Sequence, residues 1–130
     1  VELKRIDHAG INVRDLNVSA EWYKRVLDFD IVHKWQTTWM VGKGTMRLGL
    51  FLRPDAAPVD DSDQRLVIWH LAFLMDGHDF EQAQKELKDK GVQFDPPDDS
   101  GIAKSIFFND PDGYLIELIT YYQNRPPGQH

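Results

Sequence analysis

The apolar positions of the chain change period several times, and the changes mark out two successive sets of elements. Residues 5–13, "RIDHAGINV", alternate, with Ala9, Ile11 and Val13 on one side and His8, Gly10 and Asn12 on the other, which is the period of a strand. From Leu16 the period lengthens. Leu16, Ala20, Tyr23 and Leu27 recur at spacings of four, three and four, one apolar stripe along a helix over 16–27 with Asp15 available as its N-cap. Residues 31–36 and 39–42 are rich in β-branched and aromatic side chains, "GKG" at 42–44 reads as a turn, and "MRLGLFL" at 46–52 as a further strand. The predicted order is strand, helix, strand, strand, strand.

Residues 54–64, "PDAAPVDDSDQ", hold two prolines and four aspartates with little to bury, the composition of a connecting loop. The order then repeats. "LVIWHLAFLM" at 66–75 reads as a strand, and Asp79 with Gln82 resembles a capping box. Phe80, Ala83 and Leu87 line a helix that ends at Gly91. "VQF" at 92–94 and "KSIFF" at 104–108 are short strands, "NDPDG" at 109–113 is a Pro/Gly turn, and "YLIELITY" at 114–121 is the last strand. Setting His8 on His70 brings Ala20 opposite Ala83 with one inserted residue, and Gly44 opposite Gly113 in the two hairpin turns. The pattern implies an internal duplication of α+β class. Residues 1–130 are expected to form one domain: module 1 over about 3–53, a linker at 54–64, module 2 over about 65–122, and a disordered tail at 123–130.

Composition narrows the chemistry. Lys+Arg 15 against Asp+Glu 21 gives a net charge of -6, and no basic run offsets it, so a nucleic-acid partner is not expected. There is no Cys, which removes disulfides, thiolate metal sites and a cysteine nucleophile. Oxygen and imidazole must carry any chemistry. No segment approaches the roughly 18 apolar residues of a membrane span, and no targeting signal is evident, so a cytoplasmic location without a membrane partner is expected.

The duplication offers four related inward positions, two on the strands that open the modules and two on the strands that follow the glycine turns. His8 and His70 occupy the first two. Counting four residues on from Gly113 reaches Glu117, and four on from Gly44 reaches Leu48. Two histidines and a carboxylate are the donor set of a site that holds a divalent metal and leaves other coordination positions open. Each alone is more readily a core histidine or a stray carboxylate. A glutamate between Ile116 and Leu118 would nevertheless cost several kcal/mol if buried unpaired, so three such residues at related positions favour a site.

On these residues the chain resembles the vicinal oxygen chelate superfamily, which includes glyoxalase I, the bleomycin and fosfomycin resistance proteins and the extradiol dioxygenases. The resemblance runs over residues 5–121 and is carried by "IDHAGINVRDLNVSAEWYKRVLDFDIV", "WHLAF" and "SIFFNDPDGYLIEL". It implies two βαβββ modules forming a cup-shaped mixed sheet with helices outside, and His8, His70 and Glu117 as ligands of one divalent ion per chain: Fe, Mn, Ni or Zn. The family usually writes Leu-Gly-Phe where this chain has Leu27, Asp28 and Phe29, which predicts an aspartate in a left-handed helix cap.

Departures from the family pattern narrow the reaction. Glyoxalase I carries a fourth ligand in the slot of Leu48. Fosfomycin enzymes and extradiol dioxygenases place a tyrosine at the position of Phe107, and the former add a basic cluster, against Lys104 and Arg125 here. Bleomycin-binding relatives normally lack the ligands. The expected function is a metal-dependent enzyme that binds a small, partly hydrophobic or aromatic substrate through neighbouring oxygens, either an Fe(II) dioxygenase or a lyase or isomerase. A non-catalytic, bleomycin-resistance-like binder is the alternative. Leu48, Leu74, Phe107 and Ile119 are the expected substrate contacts. Tyr121 and His33 are candidates for proton donation, against the alternatives of a rim tyrosine and a packed histidine. Asp110 and Asp112 read as a hairpin turn rather than a calcium loop, and His78 and His130 as surface residues. Relatives of this length imply a homodimer whose metal sites are shared between chains.

Overall fold

The structure, a computed structural model, describes residues 1–2, 4–60 and 67–122. Residues 61–64 of the expected linker, Leu66 of the expected strand, Arg125, His130 and the rest of the expected tail lie outside the described residues. The chain divides into two compact units, Val1–Pro58 and Val59–His130, so the division falls within the Pro/Asp stretch. No helix among the described residues is long and apolar enough to cross a membrane.

In the first unit the elements are β1 (Ala9–Val13), α1 (Leu16–Leu27), β2 (Asp30–Lys34), β3 (Thr38–Lys43) and β4 (Met46–Leu52). They form a four-stranded mixed sheet in the order β1-β4-β3-β2, with β1 parallel to β4. Helix α1 begins where its cap predicts: the Asp15 side chain accepts from Val18 N at 3.0 Å. Its inward stripe is Leu16, Ser19, Ala20, Tyr23 and Val26, and Leu27 is only half-buried. These side chains pack with Ile11, Val13, Val41, Leu48 and Leu50 as the core of the unit. Asp28 ends the helix in the left-handed region, φ 59° and ψ 34°, as the Leu-Asp-Phe sequence predicts. Lys24 and Lys43 both reach its carboxylate, at 3.3 and 2.5 Å, and together hold the Asp28 carboxyl below the usual carboxylate range, Lys43 contributing most.

The second unit repeats this plan with β5 (His70–Leu74), α2 (Gly77–Asp89), β6 (Asp98–Asp99), β7 (Ala103–Asn109) and β8 (Leu115–Tyr121). Its sheet order, β5-β8-β7-β6 with β5 parallel to β8, is that of the first unit. The fold is therefore α+β, two βαβββ modules each built on a four-stranded mixed sheet with one helix. Phe80, Ala83 and Leu87 of α2 pack with Ile106, Phe108, Ile116 and Leu118.

Several local expectations shift. Gly42 and Lys43 belong to β3, and the turn is the two-residue Gly44–Thr45, because Lys43 pairs with Met46. Helix α2 starts at Gly77 rather than at Asp79: Phe80 N donates to Asp76 O at 3.0 Å, which closes the first turn early. Asp79 then sits inside that first turn, favourable to the helix dipole but not a cap. No strand forms at 92–94, because the Val92 amide donates to Leu87 O and the Gly91 amide to Lys88 O, a two-bond helix termination with Gly91 at φ 76°. The edge strand is Asp98–Asp99 instead. The "NDPDG" segment is a hairpin turn, as expected: Asp110 Oδ1 accepts the amides of Asp112 and Tyr114, both at 2.9 Å.

Candidate metal and substrate site

Strand pairing decides which side chains share a face. In the second unit His70, Ala72 and Leu74 pair with Leu115, Glu117 and Ile119 across the parallel ladder, while Phe107 and Ser105 pair with Glu117 and Ile119 across the antiparallel one. Paired residues point to the same side, so one face carries all of these and the other carries Ile116, Leu118, Ile106 and Phe108, the face buried in the core with Phe80. His70 and Glu117 meet there. His70 Nε2 lies 3.2 Å from Glu117 Oε1, and Glu117 Oε2 accepts from the Ser105 hydroxyl at 2.7 Å. Glu117 is 8% exposed, so its charge is compensated by these two contacts. The imidazole sits edge-on to two rings, Trp69 at 4.6 Å and Phe107 at 6.3 Å between centroids. Its Nδ1 is buried and has no hydrogen-bond partner among the described residues.

The pair fits a divalent ion. Ligand atoms at about 2.0–2.2 Å from a metal lie roughly 2.8–3.6 Å from one another across octahedral and tetrahedral arrangements. The observed 3.2 Å between an imidazole nitrogen and a carboxylate oxygen meets that spacing. Glu117 also has its second oxygen tied by a hydroxyl, the outer support that metal-binding carboxylates use. Within either unit, among the described residues, no group of three His, Asp or Glu side chains is close enough to hold an ion. His8 belongs to the first unit, immediately before β1. Its Nδ1 is 2.8 Å from Asp7 Oδ2, a contact that lowers the Asp7 carboxyl below its ordinary range and, with the proton on Nδ1, leaves Nε2 as the lone-pair nitrogen.

Of the expected substrate contacts, Leu74, Phe107 and Ile119 share the face of the His70–Glu117 pair, and so does Tyr121, which pairs with Ala103. Leu48 does not occupy an equivalent place. It pairs with Ala9 and Val41 and lies in the core at 2% exposure. With His8 set on His70, the counterpart of the Ala72–Glu117 pair is Gly10–Gly49, one residue further along β4. The count from the glycine turns slips by one because the two hairpins differ: a two-residue turn in the first unit and the longer Asp110–Tyr114 connection in the second. A slip of one moves a side chain to the opposite face. His33 is exposed on β2 with its ring 4.4 Å from Trp35. A register shift between Ile31 and His33 pairs it with Met40, which in turn pairs with Gly49, so His33 leaves the row of Ile31 for that of Met40 and Gly49.

Sequence reasoning missed Asp7 and Ser105. Asp7 is the chain neighbour of His8. Ser105 lies two residues before Phe107, so strand alternation puts its hydroxyl on the same face, which is the signal that marks it.

The model of the Glyoxalase/Bleomycin resistance protein/Dioxygenase superfamily matches residues 5–118. The chain belongs to this superfamily. Among relatives of this vicinal oxygen chelate protein, the metallothiol transferase FosB of Staphylococcus epidermidis is 33% identical over 122 residues, covering 92% of this chain and 84% of that protein. A glyoxylase/bleomycin resistance protein/dioxygenase domain from Frankia superposes with a TM-score of 0.80 at 22% identity, covering 99% of this chain and 100% of the other. The fosfomycin resistance protein FosX of Mesorhizobium loti does so with a TM-score of 0.71 at 21% identity, covering 94% and 96% of the two chains. These two structures bear on the fold alone.

Proposed function

We propose that this superfamily member is a metal-dependent transferase that joins a thiol to a small electrophile. His70, Glu117 and His8 are its ligands for one divalent ion per chain, Fe, Mn, Ni or Zn. The observation that carries the reading is the His70–Glu117 pair at 3.2 Å on a sheet face that also carries Leu74, Phe107, Ile119 and Tyr121. Thiol transfer is preferred to the dioxygenase and the lyase or isomerase reactions because the FosB metallothiol transferase shares 33% identity along nearly the whole chain.

The bound ion supplies Lewis-acid polarisation of the electrophile's neighbouring oxygens. The thiol sulfur forms a bond to a carbon of the electrophile, the oxygen on that carbon takes the displaced electron pair, and it is then protonated, the proton being made good by the one the thiol has lost. Tyr121, which shares that face four residues along β8 from Glu117, is our candidate donor of that proton. Leu74, Phe107 and Ile119 hold an apolar or aromatic body and exclude water.

The two halves of such a site differ in charge. Among the described residues, the strand positions on the face of the His70–Glu117 pair include Asp98, which pairs with Ser105, but no Lys or Arg. Lys104 pairs with Thr120 and Asp99 on the opposite face. On the second unit's side a phosphonate or phosphate would meet an acidic and apolar wall, whereas the first unit's face that carries Gly10 and Gly49, the strand positions next to His8, also carries Arg47.

Because His8 lies in the other unit, the third ligand is supplied by a first unit, and we propose that a homodimer shares its sites so that His8 comes from the partner chain. Mixing His8→Ala chains with Glu117→Ala chains should then rebuild one intact centre per mixed dimer and return metal and activity. Every centre staying broken would refute sharing. Thiol conjugation is read by mass spectrometry on neutral and anionic electrophiles. Metal retained by His8→Ala, His70→Ala and Glu117→Ala alike would refute the ligand set, and ligand binding without product would establish a binder instead.

A further inference from the structure

We infer that Ser105 is a positioning residue, one that aims Glu117 by committing its single hydroxyl proton to the oxygen turned away from His70. This inference rests on the metal reading above. Ser105 does not sit opposite Glu117: its partner on β8 is Ile119, and Phe107 faces Glu117. The hydroxyl therefore reaches diagonally along the sheet, and at 2.7 Å it meets Oε2 while His70 Nε2 faces Oε1 at 3.2 Å. The two carboxylate oxygens thus have separate tasks. Both residues are buried, 9% exposed for Ser105 and 8% for Glu117, so water competes poorly for Oε2.

A hydroxyl has one proton and two lone pairs. Glu117 as a carboxylate can only accept, so Ser105 must be the donor in this contact. Two consequences follow. Glu117 would offer Oε1, the oxygen on the side of His70, to a bound ion while Oε2 stays engaged by the hydroxyl. Toward a substrate, Ser105 can only accept, which suits a hydroxyl or amine hydrogen and disfavours a phosphonate oxygen.

The test compares Ser105→Ala, Ser105→Thr and Glu117→Ala for Mn²⁺ affinity by calorimetry and for coordination by the visible spectrum of the Co²⁺-loaded protein. Loss of an outer-shell partner typically costs 10–100-fold in affinity. Ser105→Ala should bind Mn²⁺ about 10–100-fold more weakly and show a changed Co²⁺ spectrum as Glu117 loses the hydrogen bond that orients it. Ser105→Thr, which keeps the hydroxyl, should restore both. If Ser105→Ala keeps wild-type affinity and spectrum while Glu117→Ala loses the ion, the positioning role is overturned and the metal reading stands. If Glu117→Ala also keeps the ion, or the wild-type protein binds none, both are overturned. Circular dichroism melts of each variant separate these outcomes from unfolding: a Ser105→Ala chain that loses its ion only because it has unfolded, with Ser105→Thr equally affected, also overturns positioning.

Discussion

Replacing Leu48 with glutamate tests the register on which the site rests. If Leu48 were the counterpart of Glu117, Leu48→Glu would add a ligand to the open face and leave the fold intact. The structure places Leu48 in the core of the first unit at 2% exposure, with Ala9 and Val41 as its strand partners. Removing a fully buried leucine side chain forfeits about 1.5–3 kcal/mol. A glutamate there has no counter-charge built for it, so it must take up a proton. Raising its pKa from about 4.3 to above 7 costs about 4 kcal/mol at neutral pH. The total, roughly 5–7 kcal/mol, is comparable with the whole stability of an ordinary domain, about 5–15 kcal/mol. Gly49→Glu is the matched control. A Cβ at Gly49 meets Phe51 Cε2 at 3.0 Å and Ala9 O at 3.7 Å, and Phe51 is half-buried with its ring end able to move. Its cost should be that of modest overpacking, about 1–3 kcal/mol. Urea unfolding followed by tryptophan fluorescence gives both midpoints. Leu48→Glu should be largely unfolded without denaturant, and Gly49→Glu folded. A Leu48→Glu midpoint at or above that of Gly49→Glu would refute the assignment of faces.

Two further perturbations probe other parts of the molecule. Asp110→Ala removes the buried carboxylate oxygen that accepts the Asp112 and Tyr114 amides, and should destabilise the second unit by about 2–4 kcal/mol in differential scanning calorimetry. A change within about 0.5 kcal/mol would place the turn's stability elsewhere. Asp28 has a lowered pKa in the folded protein, so its ion pairs stabilise above the unfolded value of about 3.9 and are lost as pH falls through the lower folded value. Asp28→Asn should flatten the acid side of the stability profile below about pH 4 and reduce its sensitivity to salt. An unchanged acid limb in urea melts across that range would contradict the pairing.

Local pattern was enough for much of this protein. The four-three-four spacing from Leu16 and the Asp15 cap determine α1, because a 3.6-residue period and a side-chain cap are properties of a few consecutive residues. The repeated strand-helix-strand-strand-strand order is legible for the same reason, and so is the left-handed Asp28. His70 and Glu117 could be read from sequence only as polar residues on two strands of one repeat; their 3.2 Å contact comes from the parallel pairing of β5 with β8. Long-range pairing is another matter. Whether Leu48 or Gly49 corresponds to Glu117 depends on how β4 slides along β1, and that is set by the Ala9–Leu48 ladder and the length of a hairpin, not by any local signal. Counting along one strand cannot detect a slip of one residue, yet such a slip turns every side chain to the other face. The Ser105–Glu117 contact is of the same kind: the two residues are twelve apart in sequence and diagonal across a ladder, and only the paired strands bring that hydroxyl to that oxygen.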